Sequence, residues 1–118
     1  INKLKEKGKI IHTRSAFLQG LFFKKTTDNS PIVQSLKIQL ETLNQITKQN
    51  VCSMEELALS YCIQQKNIDN VIMGVDSITQ LNTNIKAASS YEINEKTLKC
   101  INNIGVKNLD SLNPSLWK

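Results

Sequence analysis

Aromatic residues make up only 5% of the 118-residue sequence, too few for the stacking platforms that hold single-stranded nucleic acid. No run of about 18 apolar residues occurs, so no membrane-spanning helix is expected. Arginine is nearly missing: Arg14 is the single one, although the formal net charge is +5. The lysines are scattered, and the densest run, Lys3, Lys5, Lys7 and Lys9, is interrupted by Glu6 at an end that should be solvated. Recognition of a phosphate backbone needs a clustered basic face, so lysine-decorated helices are expected and a nucleic-acid partner is not. One histidine, His12, accompanies an odd and widely separated set of cysteines, Cys52, Cys62 and Cys100. That arithmetic excludes both a disulfide framework and a zinc site and points to reduced thiols. The polar stretch Ile1 to Lys9 leads into no cleavable hydrophobic core, so no secretory signal is expected and the location expected is cytoplasmic. Ile1 is not an initiator residue, which fits a fragment as well as a mature protein.

What the sequence does have is 40% hydrophobic and 21% charged residues, ordinary for a globular protein, and enough length for one modest core. Short β-favouring residues predict a strand near Ile10 to Arg14, followed by a loop from Gly20 to Pro31 with one helical turn at most. Ile32, Leu36, Leu40, Leu43 and Ile46 recur at helical spacing and predict one amphipathic helix ending near Gln49 and Asn50. Ser53-Met-Glu-Glu56 has the form of a capping box, opening a helix whose inner face is Met54, Leu57, Ala58, Tyr61 and Cys62. After turn residues Asn67 to Asn70, Val71-Ile72-Met73 stops at Gly74 and reads as a fully buried parallel strand. Ser77-Ile-Thr-Gln80 is a second capping box, with Ile78, Leu81, Ile85 and Ala88 as the inner face of its helix. A last helix opens at Asn94, with Ile93 and Leu98 as a staple, and ends near Gly105; the tail from Leu109 to Trp117 reads as irregular.

Strands separated by helices, with no hairpin signal, imply an α/β fold with parallel pairing through right-handed crossovers. Two strands alone leave open edges and an uncovered face. The region 1–118 therefore reads as a single incomplete domain, and such a fragment is expected to self-associate.

Three motifs carry a resemblance. Arg14-Ser-Ala-Phe-Leu-Gln-Gly20 is similar to the Ser-Pro-Leu-x-x-Gly segment that ends the seventh barrel strand of the aldo-keto reductase family. Met54-Glu-Glu-Leu-Ala-Leu-Ser-Tyr61 followed by Asn70-Val-Ile-Met-Gly74 resembles that family's Ala-Leu helix leading into the eighth strand. Gly74-Val-Asp-Ser-Ile-Thr-Gln-Leu-Asn-Thr-Asn84 is similar to its glycine, Gln-Leu and asparagine pattern, and Leu112-Asn-Pro-Ser-Leu-Trp117 adds to the likeness. Order and spacing together make the resemblance specific over nearly the whole chain.

The resemblance implies the C-terminal fragment of a (β/α)8 TIM barrel, strands seven and eight with their helices. A full barrel takes about 250 residues. It further implies an oxidoreductase that reduces a small carbonyl substrate to an alcohol by hydride transfer, with NADPH or NADH as cofactor. Ser15, Phe17, Gly20 and Lys25 are expected at the cofactor pyrophosphate, and Gly74, Asp76, Gln80 and Asn84 at its adenosine end. Ala16 stands where the family has proline, which loosens the first loop. Asp76 departs from the pattern: a carboxylate repels a 2′-phosphate but accepts hydrogen bonds from a free ribose, so a preference for NADH is expected in the intact enzyme.

The family's catalytic tyrosine, lysine, aspartate and histidine belong to earlier strands, so no catalytic residue is assigned. Tyr61 and Tyr91 are read as packing residues and His12 as a strand histidine. The alternative reading is a stand-alone helical protein-interaction module.

Overall fold

A computed structural model describes residues 1–117. In chain order they form α1 (Asn2–Glu6), β1 (His12–Arg14), α2 (Pro31–Ser35), α3 (Lys37–Asn50), α4 (Met54–Ile63), β2 (Asn70–Ile72), α5 (Ile78–Ser90) and α6 (Glu95–Asn102). Single 3-10 turns lie at Leu21–Phe23, Leu109–Leu112 and Pro114–Leu116. The residues divide into two compact units: Ile1–Ala16 with Glu55–Ile93, and Phe17–Met54 with the segment from Asn94 onward.

In the first unit β1 and β2 pair in parallel, with His12 opposite Asn70, Thr13 opposite Val71 and Arg14 opposite Ile72. The expected parallel pairing is observed. The carboxylate of Asp69 organises the entry to this pair. It accepts the Ile11 amide at 2.7 Å and the Lys5 ammonium at 2.7 and 2.8 Å, while the Asp69 amide donates to the Ile11 carbonyl at 2.9 Å. Asn67 Nδ2 donates to Asn2 Oδ1 at 2.7 Å. These bonds hold α1, an element that the sequence reading treated as a polar lead-in. The Ile11 amide first, then the Lys5 ammonium, keep the Asp69 carboxyl below the usual carboxylate range.

The strand expected to be fully buried is not: Ile72 is 56% exposed, and both strands alternate between exposed and half-buried positions. Among the described residues the sheet has two strands, so neither of them is flanked on both edges there. Helix α4 departs from its expected single face, because Leu57, Ala58, Leu59 and Ser60 are all buried in succession. A helix apolar on more than one side is covered on more than one side. The Ser60 hydroxyl donates to the Tyr91 carbonyl, and Ser90 Oγ donates to Glu56 Oε1 at 2.6 Å.

Helix α5 also corrects the sequence reading. Its buried residues are Asn84 and Ala87, whereas Ile78, Leu81, Ile85 and Ala88 are exposed. The small Ala87 permits close approach on one side, and the larger apolar stripe meets no covering element within the described residues.

In the second unit the expected helix over 32–50 is broken. At Leu36 (φ −114, ψ 15) α2 ends and α3 begins, the Leu36 amide being shared between the Ile32 and Val33 carbonyls at 3.2 and 3.3 Å. The core is Leu21, Val33, Leu36 and Leu40, with Phe22, Val106 and Trp117 packed against it. Helix α3 ends on Val51 in the left-handed conformation (φ 52, ψ 46). Helix α6 starts as expected, with Asn94 Oδ1 accepting the Thr97 amide at 2.9 Å, but stops at Asn102 rather than near Gly105. The Gly105 carbonyl accepts Gln39 Nε2 at 2.8 Å instead. In the tail, Asn108 and Asn113 cap the two 3-10 turns, and the Trp117 indole donates to the Ser111 carbonyl at 3.0 Å.

Candidate cofactor-binding site

Because β1 and β2 run parallel, the loops that follow them leave from the same, C-terminal end of the pair. That end is where α/β folds build their sites, since side chains and helix starts converge there.

The loop after β1 is unusual in backbone conformation. Ser15 (φ 63), Leu18 (φ 46), Gln19 (φ 51) and Gly20 (φ 80) all lie in the left-handed region. Side chains other than glycine adopt it at a cost of about 1–2 kcal/mol each. The turn closes through the Gly20 amide on the Phe17 carbonyl at 3.0 Å and the Leu21 amide on the Leu18 carbonyl at 3.1 Å. A Cβ at Gly20 would meet nothing within 4 Å, so the glycine serves conformation and open approach rather than tight packing. Phe17 and Phe23 meet edge to face with centroids 5.0 Å apart. Lys24 reaches Asp28 at 3.6 Å; Lys25 is exposed. The Asp28 carboxyl sits below its ordinary range, first because it accepts the Ser30 amide and then through Lys24.

The turn after β2 exposes Gly74, Val75 and Asp76 and ends on Ser77, the N-cap of α5. Ser77 Oγ accepts the Gln80 amide at 3.1 Å, as the capping box predicts. The reciprocal bond is displaced by one residue: Gln80 Oε1 accepts the Asp76 amide at 2.8 Å. An extended N-cap (φ −151, ψ 158) precedes the helix here, and the longer glutamine reaches past it. Gln80 and Asn84 occupy one side of the helix, yet Gln80 is exposed while Asn84 is only 8% exposed.

Of the eight residues singled out in the sequence, Ser15, Gly74, Asp76, Gln80 and Asn84 belong to the first unit, and Phe17, Gly20 and Lys25 to the second. Within the first unit Ser15 follows β1 and Gly74 to Gln80 follow β2, on adjacent paired strands. Sequence reasoning put Arg14 at the end of the first strand but gave it no part in the site. It is exposed at the end of β1, opposite Ile72, and only the strand register, which no local pattern encodes, puts a cation there.

Elsewhere, a cleft of about 230 Å³ lies between the end of α3 and the start of α6, lined by Ile46, Gln49, Asn50, Asn94, Lys96, Thr97 and Cys100. Its buried polar groups are internally satisfied: Thr97 Oγ1 donates to Asn50 Oδ1 and Asn50 Nδ2 to the Ile46 carbonyl, both at 2.8 Å. None of the eight residues lines it. The cysteines form no disulfide, Cys52 and Cys62 being half-buried and Cys100 exposed, and burial pushes the Cys62 thiol up. Among the described residues no group of three His, Cys, Asp or Glu side chains is arranged to hold a metal ion, and no helix is long and apolar enough to cross a membrane.

Among known proteins, the model of the Aldo/keto reductase family matches residues 1–105. No curated protein matches the chain.

Proposed function

Since the chain belongs to the aldo/keto reductase family, we propose that it is the C-terminal part of a (β/α)8 reductase barrel and supplies part of the nicotinamide-dinucleotide site, for NADPH or NADH. In this reading residues 1–118 are a single incomplete domain. The bound dinucleotide supplies the hydride that reduces a small carbonyl substrate to an alcohol. Ser15, Phe17, Gly20 and Lys25 hold the pyrophosphate, and Gly74, Asp76 and Gln80 the adenosine end. Asn84, expected at the same end, is only 8% exposed.

The observation that carries the reading is the parallel β1–β2 pair of the first unit, with Ser15 following one strand and the turn from Gly74 to Ser77 following the other. The residues fit a dinucleotide in chemical terms. Open space above Gly20 and Gly74 lets a phosphate or ribose approach the backbone, and Lys25 offers an exposed cation. The chain alone is expected to show no reductase turnover, because no side chain in it is assigned to proton or hydride transfer. A cytoplasmic setting accords with three cysteines outside any disulfide. Self-association accords with the uncovered stripe on α5. A stand-alone interaction module is not favoured, since the family match spans residues 1–105.

Amide-resonance mapping of the 118-residue chain with NADH and with NADPH tests the site. Weak binding is expected, because part of a site must still bear the ordering cost. The perturbed amides should be those of 15–25 and 74–84. Perturbation confined to other segments, or none at millimolar cofactor, overturns the assignment.

A further inference from the structure

We propose that the segment from Gly105 to Trp117 is a strap on the loop of residues 17–25, with Trp117 as a positioning residue: docked, it holds that loop in the conformation that receives the cofactor pyrophosphate. The pyrophosphate part rests on the cofactor reading above; the coupling part rests on one core that lies within the second unit. Leu21, Val33, Leu36 and Leu40 are buried together, and Leu18 and Phe22 of the loop and Val106 and Trp117 of the strap all pack against them. Loop and strap share one apolar floor, so removing one uncovers surface on which the other depends. The loop needs that support. Leu18 and Gln19 hold left-handed backbone at φ 46 and 51, which residues other than glycine adopt at a cost, and such conformations persist where the surrounding packing over-determines them. Two backbone bonds close the turn, at the Gly20 and Leu21 amides, and the fully buried Leu21 fixes it to the floor. The strap is held at its ends. Gln39 Nε2 donates to the Gly105 carbonyl at 2.8 Å beside Val106, and Trp117 packs at the other end with its indole bonded to the Ser111 carbonyl. Between these anchors Leu109, Leu112 and Leu116 are exposed, and Asn108 and Asn113 accept amides from within the strap itself. A segment so attached opens as a unit, and by linkage whatever favours the ordered loop favours the docked strap.

Amide hydrogen exchange and titration with inorganic pyrophosphate test this on the 118-residue chain. In Trp117→Ala the Gly20 and Leu21 amides should exchange at least ~10-fold faster, and the pyrophosphate Kd read from the amides of 17–25 should rise at least ~10-fold. The Leu81 amide of α5, in the first unit and bonded to the Ser77 carbonyl, should keep its rate. Trp117→Phe, which leaves an aromatic ring on the floor, should bring loop exchange and Kd back to within about threefold of the parent. Trp117 is the single tryptophan, so its emission should also shift as pyrophosphate, which does not absorb there, saturates the parent loop. Unchanged loop exchange in Trp117→Ala overturns the strap. Faster loop exchange with an unchanged Kd overturns its part in binding while the cofactor reading stands. Pyrophosphate that perturbs no amide of 17–25 in the parent at millimolar concentration overturns the cofactor reading itself, and this proposal with it. Should Trp117→Ala unfold the whole second unit, Gln39→Ala decides, since it frees the Gly105 end and places a good helix former on α3: faster exchange at Gly20 and Leu21 with a raised Kd supports the strap, and parent values overturn it.

Discussion

Asp69 ties together three parts of the chain that share no local sequence signal: the Lys5 ammonium of α1, the amide of Ile11 before β1, and the start of β2 at Asn70. Its carboxyl is held below the ordinary 3.8, mainly by the Ile11 amide. The sign follows from linkage. A carboxylate whose folded pKa is depressed adds stability at pH above its unfolded pKa, and that stability is lost as pH falls through the folded value. Asp69→Asn should therefore unfold at a lower temperature near neutral pH, and the gap to the parent should close as acid protonates the parent carboxylate. Thermal unfolding across a pH series checks this; equal midpoints at neutral pH would refute it. Ser77→Ala should cost about 1 kcal/mol by removing the acceptor of the Gln80 amide, read as a lower denaturation midpoint. The two residues also mark what is legible at this scale. The caps at Ser77 and Asn94 are local and could be read from three-residue spacing. The Asp69 latch pairs residues 64 apart, and nothing in the sequence flags it.

The elements themselves were legible wherever the signal is periodic or terminal. Both strands, the loop of 20–31, helix α4 and the starts of α5 and α6 lie where spacing and turn residues predict. What the pattern could not supply was which side of a helix meets a partner. The stripe Ile78, Leu81 and Ile85 has the spacing of an inner face, yet Asn84 and Ala87 are the buried residues, because burial depends on packing against distant segments. The same reason hid the burial of Asn84, so that of the candidate site the turns and glycines could be read and the depth of each side chain could not. The break at Leu36 was invisible because Ile32 to Ile46 keeps one period across it. Helix α3 carries a testable defect at its end. Val51 is 93% exposed and left-handed at φ 52, a conformation that disfavours a β-branched residue and suits glycine. Val51→Gly removes little packing and should raise stability by about 1 kcal/mol, seen as a higher denaturant midpoint with unchanged slope. A lower midpoint would show that Val51 makes contacts in the folded chain that outweigh its backbone conformation.

At the scale of the whole molecule the unbalanced feature is apolar surface without cover. Ile78 at 79% and Ile85 at 59% exposure share a helix face with Leu81, and Ile72 of β2 is exposed as well. The two-stranded sheet also has an unpaired edge on each strand. Soluble monomers seldom leave contiguous apolar patches beyond a few hundred Å² uncovered, and unpaired strand edges recruit further strands. Burying an isoleucine gains about 1.5–3 kcal/mol in full and proportionately less for one already partly covered. Two or three such residues per copy supply several kcal/mol to an association that must first offset the lost freedom of the partners. The 118-residue chain is therefore expected to self-associate weakly, its apparent mass in light scattering rising with concentration. Replacing Ile78 and Ile85 together by lysine should shift the chain toward monomer without loss of helix signal, since neither side chain belongs to the buried set. A monodisperse monomer for the unaltered chain would remove the expectation. Association unchanged by the double replacement would move it from α5 to the strand edges.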